Sequence, residues 1–269
     1  MQPKPLKVSV LMPVFNERNT VRHAVERVRS VGMNAEIICV DDCSSDGTRS
    51  VLQSLLESGH IDALVLHEVN RGKGAGVRSA LEKATGDVVV IQDADLEYDP
   101  EDLLKLLGPI QDGRADAVFG SRFKGDVSRV LYYWHSLGNW GLTTMSNMLT
   151  NLNVSDMETC YKMVRTDLMK SLPLTSDRFG FEPELTARLA QSRARIYEVP
   201  ISYSGRTYAE GKKIRWTDGV AAFWHIMKFN LLSTKAPRYN NSVSESRKLQ
   251  DRAPETQPVT EAERSLVRQ

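Results

Sequence analysis

The sequence predicts an α/β domain built on a mainly parallel sheet with helices on both faces. Short apolar runs of strand length alternate with segments in which apolar residues recur every three or four positions, and polar loops follow most of these runs. Such alternation is typical of parallel sheets, which bind ligands where their strands end. The chemistry of the protein is therefore expected in the loops after the strands.

Five strands are predicted in the first half of the chain, at residues 8–12, 36–40, 63–66, 87–91 and 116–119. Their apolar side chains are nearly continuous, as in strands that are buried on both faces. Helices are predicted between the strands from apolar residues spaced three or four apart, as at Val21, Val25 and Val28.

Longer helices are predicted in the second half of the chain. A helix with aromatic residues is expected at about 130–152, strands at 160–164 and 196–201, and a helix at 183–191. A basic loop at 205–215 precedes an amphipathic segment at 216–232. From residue 233 to residue 269 the chain is rich in Ser, Pro, Glu, Gln and Arg, which predicts a disordered tail.

Composition excludes several classes of protein. The chain has 269 residues, of which 41% are hydrophobic and 26% charged, values that exclude collagen-like and wholly disordered proteins. Because 35 Lys and Arg offset 34 Asp and Glu, the net charge of +1 argues against a broad nucleic-acid-binding surface. No apolar run reaches the roughly 18 to 20 residues of a transmembrane helix. Three cysteines and the lack of a recognisable leader favour a reducing cytoplasm.

Two carboxylates follow the fourth predicted strand in the motif Asp93-Ala94-Asp95. Carboxylates on either side of one small residue can converge on a hard divalent cation that also holds phosphate oxygens. Glu97 could supply a third oxygen. The alternative is an acidic turn without a metal. The buried character of the preceding strand, and the other polar loops at the same edge, favour the metal site.

Asp41 and Asp42 end the second predicted strand. Residues 44–46 resemble a helix N-cap, which leaves the paired acids unexplained. A nucleoside, whose base N–H and ribose hydroxyls need acceptors, would use one of the two aspartates. Lys73 lies in a glycine-rich loop at residues 70–74, which either approaches a phosphate or is a turn before the next helix.

Several common motifs are absent from the sequence. The first strand is not followed by the Gly-x-Gly-x-x-Gly fingerprint of dinucleotide-binding dehydrogenases, and no P-loop of a nucleotide triphosphatase occurs. The Gly-x-Ser-x-Gly elbow of α/β-hydrolases is also missing.

Seven motifs in order resemble a known family. The first four are PVFNE at 13–17, VDDCSSDGT at 40–48, QDADL at 92–96 and GSRF at 120–123. They are similar to those of family 2 glycosyltransferases with the GT-A fold. The motifs DMETCYK at 156–162, FGFEPE at 179–184 and RTYAEGKK at 206–213 resemble the dolichyl-phosphate mannose synthase and polyprenyl-phosphate glycosyltransferase branch. The resemblance spans about residues 8–232.

The resemblance implies one domain over residues 1–232, with a nucleotide-sugar half at about 1–125 and an acceptor half at about 126–232. It also implies roles for individual residues. The nucleotide pocket would be lined by Pro13, Asn16, Glu17, Asp41, Asp42, Lys73 and Asp93. Mg²⁺ or Mn²⁺ on the donor diphosphate would be held by Asp93, Asp95 and Glu97, the last being a position where the branch often carries Gln. Phosphate groups would be bound by Arg122, Arg206, Lys212 and Lys213. The catalytic set would be Asp95, Arg122, Glu182 and Glu184.

The implied reaction is inverting transfer of a hexose, mannose or glucose, from a donor of the UDP-glucose or GDP-mannose class to a polyprenyl or dolichyl phosphate. A lipid monophosphate is already anionic at neutral pH and needs no general base. A sugar or protein hydroxyl is an alternative acceptor, and it would need Asp156, Glu182 or Glu184 as a base. A further alternative is a regulatory module without catalytic activity that binds a nucleotide sugar.

Aromatic residues in the two long helical segments favour a peripheral membrane protein. Trp134 and Trp140 in one segment, and Phe223 and Trp224 in the other, could seat an isoprenoid chain or pack in the core. With the basic loop facing anionic headgroups, this arrangement predicts attachment to the cytoplasmic face of the membrane.

Overall fold

The computed structural model describes residues 5–124, 129, 132–206 and 216–240. Seven strands form one sheet in the order β3-β2-β1-β4-β6-β5-β7. Their bounds are β1 Val8–Val14, β2 Ala35–Asp41, β3 Ala63–Leu66, β4 Val88–Ile91, β5 Ala117–Ser121, β6 Lys162–Arg165 and β7 Ile196–Pro200. The predicted α/β class is confirmed.

The sheet is parallel except at one strand. The pairs β1–β2, β1–β4, β2–β3 and β5–β7 are parallel, whereas β6 runs antiparallel to both of its neighbours, β4 and β5. The residues of a short strand do not determine its direction, so the sequence does not predict the reversal. Because β6 separates β4 from β5, it divides the sheet into a β3-β2-β1-β4 part and a β5–β7 part.

Eight α-helices and a π-helical turn belong to the described residues. The helices are α1 Val21–Ser30, α2 Thr48–Glu57, α3 Lys73–Lys83, α4 Asp102–Gln111, α5 Tyr133–Thr150, α6 Thr166–Ser171, α7 Phe181–Gln191 and α8 Trp216–Met227, and the π-helix is Lys228–Leu232. Helix α5 ends at Asn151, whose φ of 56° is left-handed, a common way to stop a helix. Within the described parts, no helix is both long and apolar enough to span a bilayer.

The core lies between the sheet and its helices. Strands β1, β4 and β5 are buried almost throughout, which places the polar residues that follow them at a rigid edge. Helix α3 lies close to β1 and β2 because Gly76 has no side chain: a Cβ there would be 3.0 Å from the Cβ of Pro13. This contact fixes the start of α3 next to the loop after β1.

Described residues beyond 232, the predicted domain boundary, form hydrogen bonds with the domain. The backbone N–H of Ala236 donates to Gln191 Oε1, and that of Tyr239 donates to Ser192 O. The Tyr239 hydroxyl donates to Asp167 Oδ2 at 2.8 Å. The segment after the π-helix therefore packs against the end of α7. The rest of the predicted tail, from residue 241, lies outside the described residues.

Glu36 is a buried acid at the opposite edge of the sheet from the polar loops. Its carboxylate accepts hydrogen bonds from Lys7 Nζ at 2.6 Å, Ser9 Oγ at 2.5 Å and the Thr85 N–H at 2.7 Å. Burial opposes ionisation, but these donors outweigh it and lower the pKa of Glu36 from 4.5 to about 2. The ionised carboxylate therefore stabilises the fold above pH 4.5, and this contribution is lost as the pH falls towards 2.

Glu36→Gln is expected to lower the free energy of unfolding by about 2–3 kcal/mol at pH 7, because the neutral amide cannot match these charge-assisted bonds. Urea denaturation at several pH values measures the effect. The difference between the variant and the wild type should shrink as the pH falls below 4.5. A difference that stays constant down to the acid limit of folding would show that the charge of Glu36 is not its cause.

Candidate active site

A connected cluster of charges lies at the carboxyl ends of β1 and β4. Lys73 Nζ bridges Asp93, at 3.0 Å, and Glu182, at 2.9 Å. Arg206 contacts Asp95 at 3.1 Å through its terminal nitrogen. The structure thus brings together side chains from the loop after β4, the start of α3, the start of α7 and the chain after β7.

Negative charge exceeds positive charge in this cluster. Its five carboxylates are Glu17, Asp93, Asp95, Glu97 and Glu182, and its two cations are Lys73 and Arg206. Burial and the nearby Asp93 and Glu97 raise the pKa of Asp95 from 3.8 to about 7. Burial works against the charge of Lys73, yet Asp93 and Glu182 raise the pKa of this lysine well above its ordinary value. The excess of carboxylates is what a divalent cation would neutralise.

Asp93 and Asp95 fit a hard cation, since they offer carboxylate oxygens at one strand end with a quarter or less of each side chain exposed. A cation there would stabilise the negative charge on a departing diphosphate. In the described residues no three His, Cys, Asp or Glu side chains are arranged as a ready-made metal site. Two aspartates would therefore need oxygens from the ligand to complete the coordination.

Glu97, predicted as a third metal ligand, has a different position in the structure. Its Oε2 accepts from the Tyr203 hydroxyl at 2.7 Å, and its Oε1 accepts from the backbone N–H of Arg206 at 2.9 Å. Both oxygens hold the chain after β7, so Glu97 positions Arg206 above Asp95. A neutral Gln could make similar hydrogen bonds, and the predicted metal role of Glu97 stays a prediction.

Arg206, which is predicted to bind phosphate, lies against Asp95. Besides Asp95, it contacts Glu97 at 3.3 Å and Glu17 at 3.6 Å. Its guanidinium would meet a diphosphate that is bound at the two aspartates. The other two predicted basic residues, Lys212 and Lys213, lie outside the described residues.

Arg122 is held by Asp156 in a two-pronged ion pair. The Arg122 Nε donates to Asp156 Oδ2 at 2.6 Å, and the terminal nitrogen donates to Oδ1 at 2.8 Å. Burial opposes the charge of the fully buried Asp156, but Arg122 outweighs it and lowers the pKa of Asp156. The guanidinium lies 5.1 Å from the centre of the Tyr203 ring. Arg122 is thus fixed beside the segment that carries Arg206.

The predicted nucleotide-side residues are drawn together, but most of their polar atoms have partners within the protein. Asn16 Oδ1 accepts from the Ser45 N–H at 2.9 Å, and Asp41 Oδ2 accepts from Arg49 Nε at 2.7 Å. Asp42 accepts from the Arg71 and Gly72 amides. In this arrangement Asn16, Asp41 and Asp42 organise the loops, and their predicted place in a nucleotide pocket stays a prediction. Pro13 lies against Gly76 of α3, and Glu17 belongs to the charge cluster through its contact with Arg206.

Glu182 and Glu184 lie two residues apart on α7 and have different environments. Glu182 contacts Lys73 within the charge cluster. Glu184 is fully buried, where it accepts from the amides of Thr175 and Ser176 at 3.0 and 2.6 Å and from the Thr175 hydroxyl at 2.9 Å. These hydrogen bonds assign Glu184 to anchoring the loop before α7, and its catalytic role stays a prediction.

The pair Glu182→Gln and Glu184→Gln is expected to separate function from stability. Glu184→Gln replaces one acceptor oxygen by a donor group that faces buried N–H groups, and should lower the free energy of unfolding by about 2–4 kcal/mol. Glu182→Gln should leave stability within about 1 kcal/mol and lower turnover. Chemical denaturation and initial rates measure the two effects. A Glu184→Gln variant of normal stability would contradict the assignment.

The sequence predicts Asp156 as a possible base and not as the partner of Arg122. Tyr203, beside the site, and His67, outside the charge cluster, lie in no recognised motif. Tyr203 forms a β-bridge with Tyr98 and lies over Arg122, a pairing of residues about a hundred positions apart in the chain. An apolar-polar pattern contains no signal for such contacts. Asp156 could have been found from its place at the head of the motif DMETCYK.

Comparison with known proteins then decides the family. Residues 9–172, more than half of the chain, match the profile of "Glycosyl transferase family 2". The chain belongs to this family. An undecaprenyl-phosphate mannosyltransferase of Micrococcus luteus is 29% identical over 84% of this chain and 99% of its own length. A dolichol-phosphate mannosyltransferase of Pyrococcus furiosus is 27% identical over 77% of this chain and 59% of its own length. The chain spans little more than half the length of two of the curated relatives it matches.

Solved structures agree on the fold of this family 2 glycosyltransferase. Glucosyl-3-phosphoglycerate synthase from Mycobacterium tuberculosis, crystallised with Mn²⁺, UDP and glucosyl-3-phosphoglycerate, has a TM-score of 0.65 at 19% identity. The match covers 85% of this chain and 81% of that one. The predicted GT-A fold, the enzyme class and the resemblance to the polyprenyl-phosphate branch are confirmed.

Proposed function

We propose that this family 2 glycosyltransferase moves a hexose from a nucleotide-diphosphate sugar to a polyprenyl phosphate, with inversion and with Mg²⁺ or Mn²⁺ as cofactor. The observation that carries the proposal is the charge cluster at the ends of β1 and β4, with its excess of carboxylates and its flanking arginines. The Micrococcus and Pyrococcus relatives, whose names state lipid-phosphate acceptors, support the acceptor. The Mn²⁺ and UDP in the Mycobacterium structure support the cofactor and a nucleotide donor.

In the proposed reaction a phosphate oxygen of the acceptor attacks the anomeric carbon of the sugar, while the bond from that carbon to the donor diphosphate breaks. The electron pair of that bond leaves with the nucleotide diphosphate. Asp93 and Asp95 would hold the divalent cation, which stabilises this charge when bound. Arg206 would contact the diphosphate, and Arg122, fixed by Asp156, would orient a phosphate oxygen.

The state of the candidate bases favours an anionic acceptor. Glu184 is buried and fully engaged with the loop before α7, Asp156 is ion-paired with Arg122, and Glu182 is ion-paired with Lys73. A hydroxyl acceptor needs a base that can take its proton, whereas a phosphate monoester is mostly ionised at pH 7. None of these three carboxylates is presented as such a base. The hydroxyl acceptor is therefore the second candidate function.

An apolar surface on α5 and α8 supports attachment to a membrane. The two helices pack on each other, and aromatic side chains on both are more than half exposed: Tyr133, Trp134, Trp140, Phe223 and Trp224. Aromatic residues of this kind favour the interface between lipid headgroups and acyl chains. We place the protein on the surface of the cytoplasmic membrane face, where a polyprenyl phosphate would present its headgroup.

A membrane-binding assay tests this surface. The purified protein should sediment with vesicles that contain anionic lipid, and Trp134→Ser should weaken this binding by about fivefold or more, since one buried aromatic contributes over about 1 kcal/mol. Tyr197→Ser, on the exposed edge strand β7, is the matched control. Equal binding of the two variants would exclude the α5–α8 surface as the contact.

The function itself is tested by product mass spectrometry. The enzyme is incubated with Mn²⁺, undecaprenyl phosphate and, in separate reactions, UDP-glucose and GDP-mannose. A hexosyl phospholipid that depends on one of these donors is the expected product. Consumption of a donor with transfer only to a hydroxyl acceptor, lost in Glu182→Gln, would favour the second candidate. No transfer to either acceptor would refute the proposed function.

A further inference from the structure

His67 is buried just after β3, between helix α3 and the loop after β2. Its Nδ1 is 2.8 Å from Asp42 Oδ1, and its Nε2 is 2.9 Å from Ser79 Oγ. A carboxylate oxygen only accepts, so Nδ1 donates its proton to Asp42, and Nε2 pairs with the Ser79 hydroxyl. The histidine is thereby fixed at both nitrogens.

Asp42 passes this constraint on to the loop before α3. Its Oδ1 also accepts from the Arg71 N–H at 2.8 Å, and its Oδ2 accepts from the Gly72 N–H at 2.7 Å. One carboxylate thus holds His67 and two successive backbone amides. Because Oδ1 pairs with both His67 and the Arg71 amide while Oδ2 pairs with the Gly72 amide, the orientation of the Asp42 carboxylate sets where the two amides lie.

Gly72 is confined from the other side as well. Its φ of 98° is left-handed, and a Cβ on it would lie 2.5 Å from the Asp177 carbonyl oxygen. The same carbonyl accepts from the Ala75 N–H at 3.1 Å. The turn that begins α3 is therefore held on both sides, by Asp42 on one and by the Asp177 carbonyl on the other. Lys73, the next residue, extends from this turn to Asp93 and Glu182.

We infer that His67 is a positioning residue, which acts through Asp42 and the Arg71 and Gly72 amides to hold the Lys73 ammonium between Asp93 and Glu182. The residue lies outside the charge cluster and would contact neither donor nor acceptor. A Lys73 ammonium that is held in place fixes the positions of the two carboxylates that it bridges, Asp93 and Glu182. Only the effect on turnover rests on the proposed function.

Two substitutions separate this role from simple packing of a buried ring. In His67→Asn, the side-chain amide can donate from about the place of Nδ1 and so retain the hydrogen bond to Asp42. In His67→Gln, the longer side chain reaches towards the place of Nε2 and Ser79, and the bond to Asp42 is lost. Both substitutions remove the ring, so a packing role predicts that they expose Lys73 equally. A positioning role predicts that Asn, which keeps the hydrogen bond to Asp42, leaves Lys73 confined, whereas Gln does not.

The experiment is competitive acetylation of all lysines by acetic anhydride, read by peptide mass spectrometry on the full chain without donor or acceptor. In His67→Gln the acetylation of Lys73 should rise about fivefold or more, because local opening exposes an otherwise confined amine. It should stay within about twofold of the wild type in His67→Asn and in the surface control His60→Gln. Lys124, which is more than half exposed, serves as the internal reference.

Amide hydrogen exchange gives a second reading on the same proteins. Protection of Arg71 and Gly72 should fall in His67→Gln, while protection of the β1 amides, which reports the intact fold, stays unchanged. Asp42→Asn, which keeps the size of the side chain, should reproduce the increase at Lys73 even if His67→Gln does not fold. Equal acetylation of Lys73 in the Asn and Gln variants, or no rise in Asp42→Asn, would overturn the inference.

The consequence for catalysis is a split between kinetic constants. In the transfer assay, His67→Gln should lower kcat about tenfold with the donor KM within about twofold, as expected for a misplaced group near the reacting atoms. A wild-type protein without transfer would count against the proposed function, and the acetylation result would still decide the role of His67.

Discussion

Asp95→Asn is expected to lower turnover by at least about 10³-fold, which corresponds to roughly 4 kcal/mol of transition-state stabilisation. Asp95 is one of the two aspartates proposed to hold the divalent cation at the carboxyl end of β4. Its carboxylate already lies among more negative than positive groups, with Arg206 at 3.1 Å. The amide keeps the shape of the side chain but cannot bind a hard cation as a charged ligand.

The fold should survive this substitution. Because Asn removes one of five clustered carboxylates, the thermal midpoint of Asp95→Asn without metal should equal or exceed that of the wild type. The stabilisation that Mn²⁺ gives to the wild type in the same melt should disappear. Asp112→Asn, at an exposed ion pair with Arg114, is the matched control and should retain normal turnover and metal response. A fully active Asp95→Asn variant would refute the metal role.

The second large effect is expected at the Arg122–Asp156 pair. Asp156→Asn leaves the Arg122 guanidinium, whose side chain is 16% exposed, without its counter-ion. Breaking a buried ion pair in this way should lower the free energy of unfolding by about 3 kcal/mol. Turnover should fall about 10²-fold as well, since a guanidinium that is no longer held in place cannot orient a phosphate oxygen.

Arg122→Lys distinguishes orientation from charge. Lysine keeps the positive charge but cannot make the two parallel hydrogen bonds to Asp156, so turnover should fall about 10²-fold here too. A double-mutant cycle of Arg122→Lys and Asp156→Asn should give a total loss much smaller than the sum of the two losses, because both act on one pair. Additive losses would show that the two residues act independently.

The sequence predicts the position of the site better than the roles of its members. Asp93 and Asp95 can be predicted because they directly follow a buried strand, so the strand alone determines where they point. Glu97 and Glu184 carry the same functional group, yet their partners are Tyr203, 106 residues from Glu97 along the chain, and the amides of the loop before α7. The residue type determines what a side chain can bind. Which partner it does bind depends on the groups that the folded chain places next to it.

Two features of the fold cannot be predicted from the sequence for the same reason: they depend on contacts between distant parts of the chain. The direction of β6 depends on how the chain returns from α5, and the four residues of the strand, KMVR, do not encode it. The end of the domain depends on single contacts of Ala236 and Tyr239 with the end of α7, in a segment whose composition is already that of a tail. Burial of one or two side chains is too small a signal for composition to register.

In the proposed reaction an anionic phosphate acceptor attacks a nucleotide sugar whose diphosphate is held by a divalent cation at the charge cluster. The most direct measurement compares initial rates with undecaprenyl phosphate and with undecaprenol, at equal concentration in the same vesicles, with Mn²⁺ and with EDTA. A hexosyl lipid is expected from the phosphate only, and only with Mn²⁺. Comparable transfer to the alcohol, or undiminished transfer in EDTA, would contradict the proposed reaction.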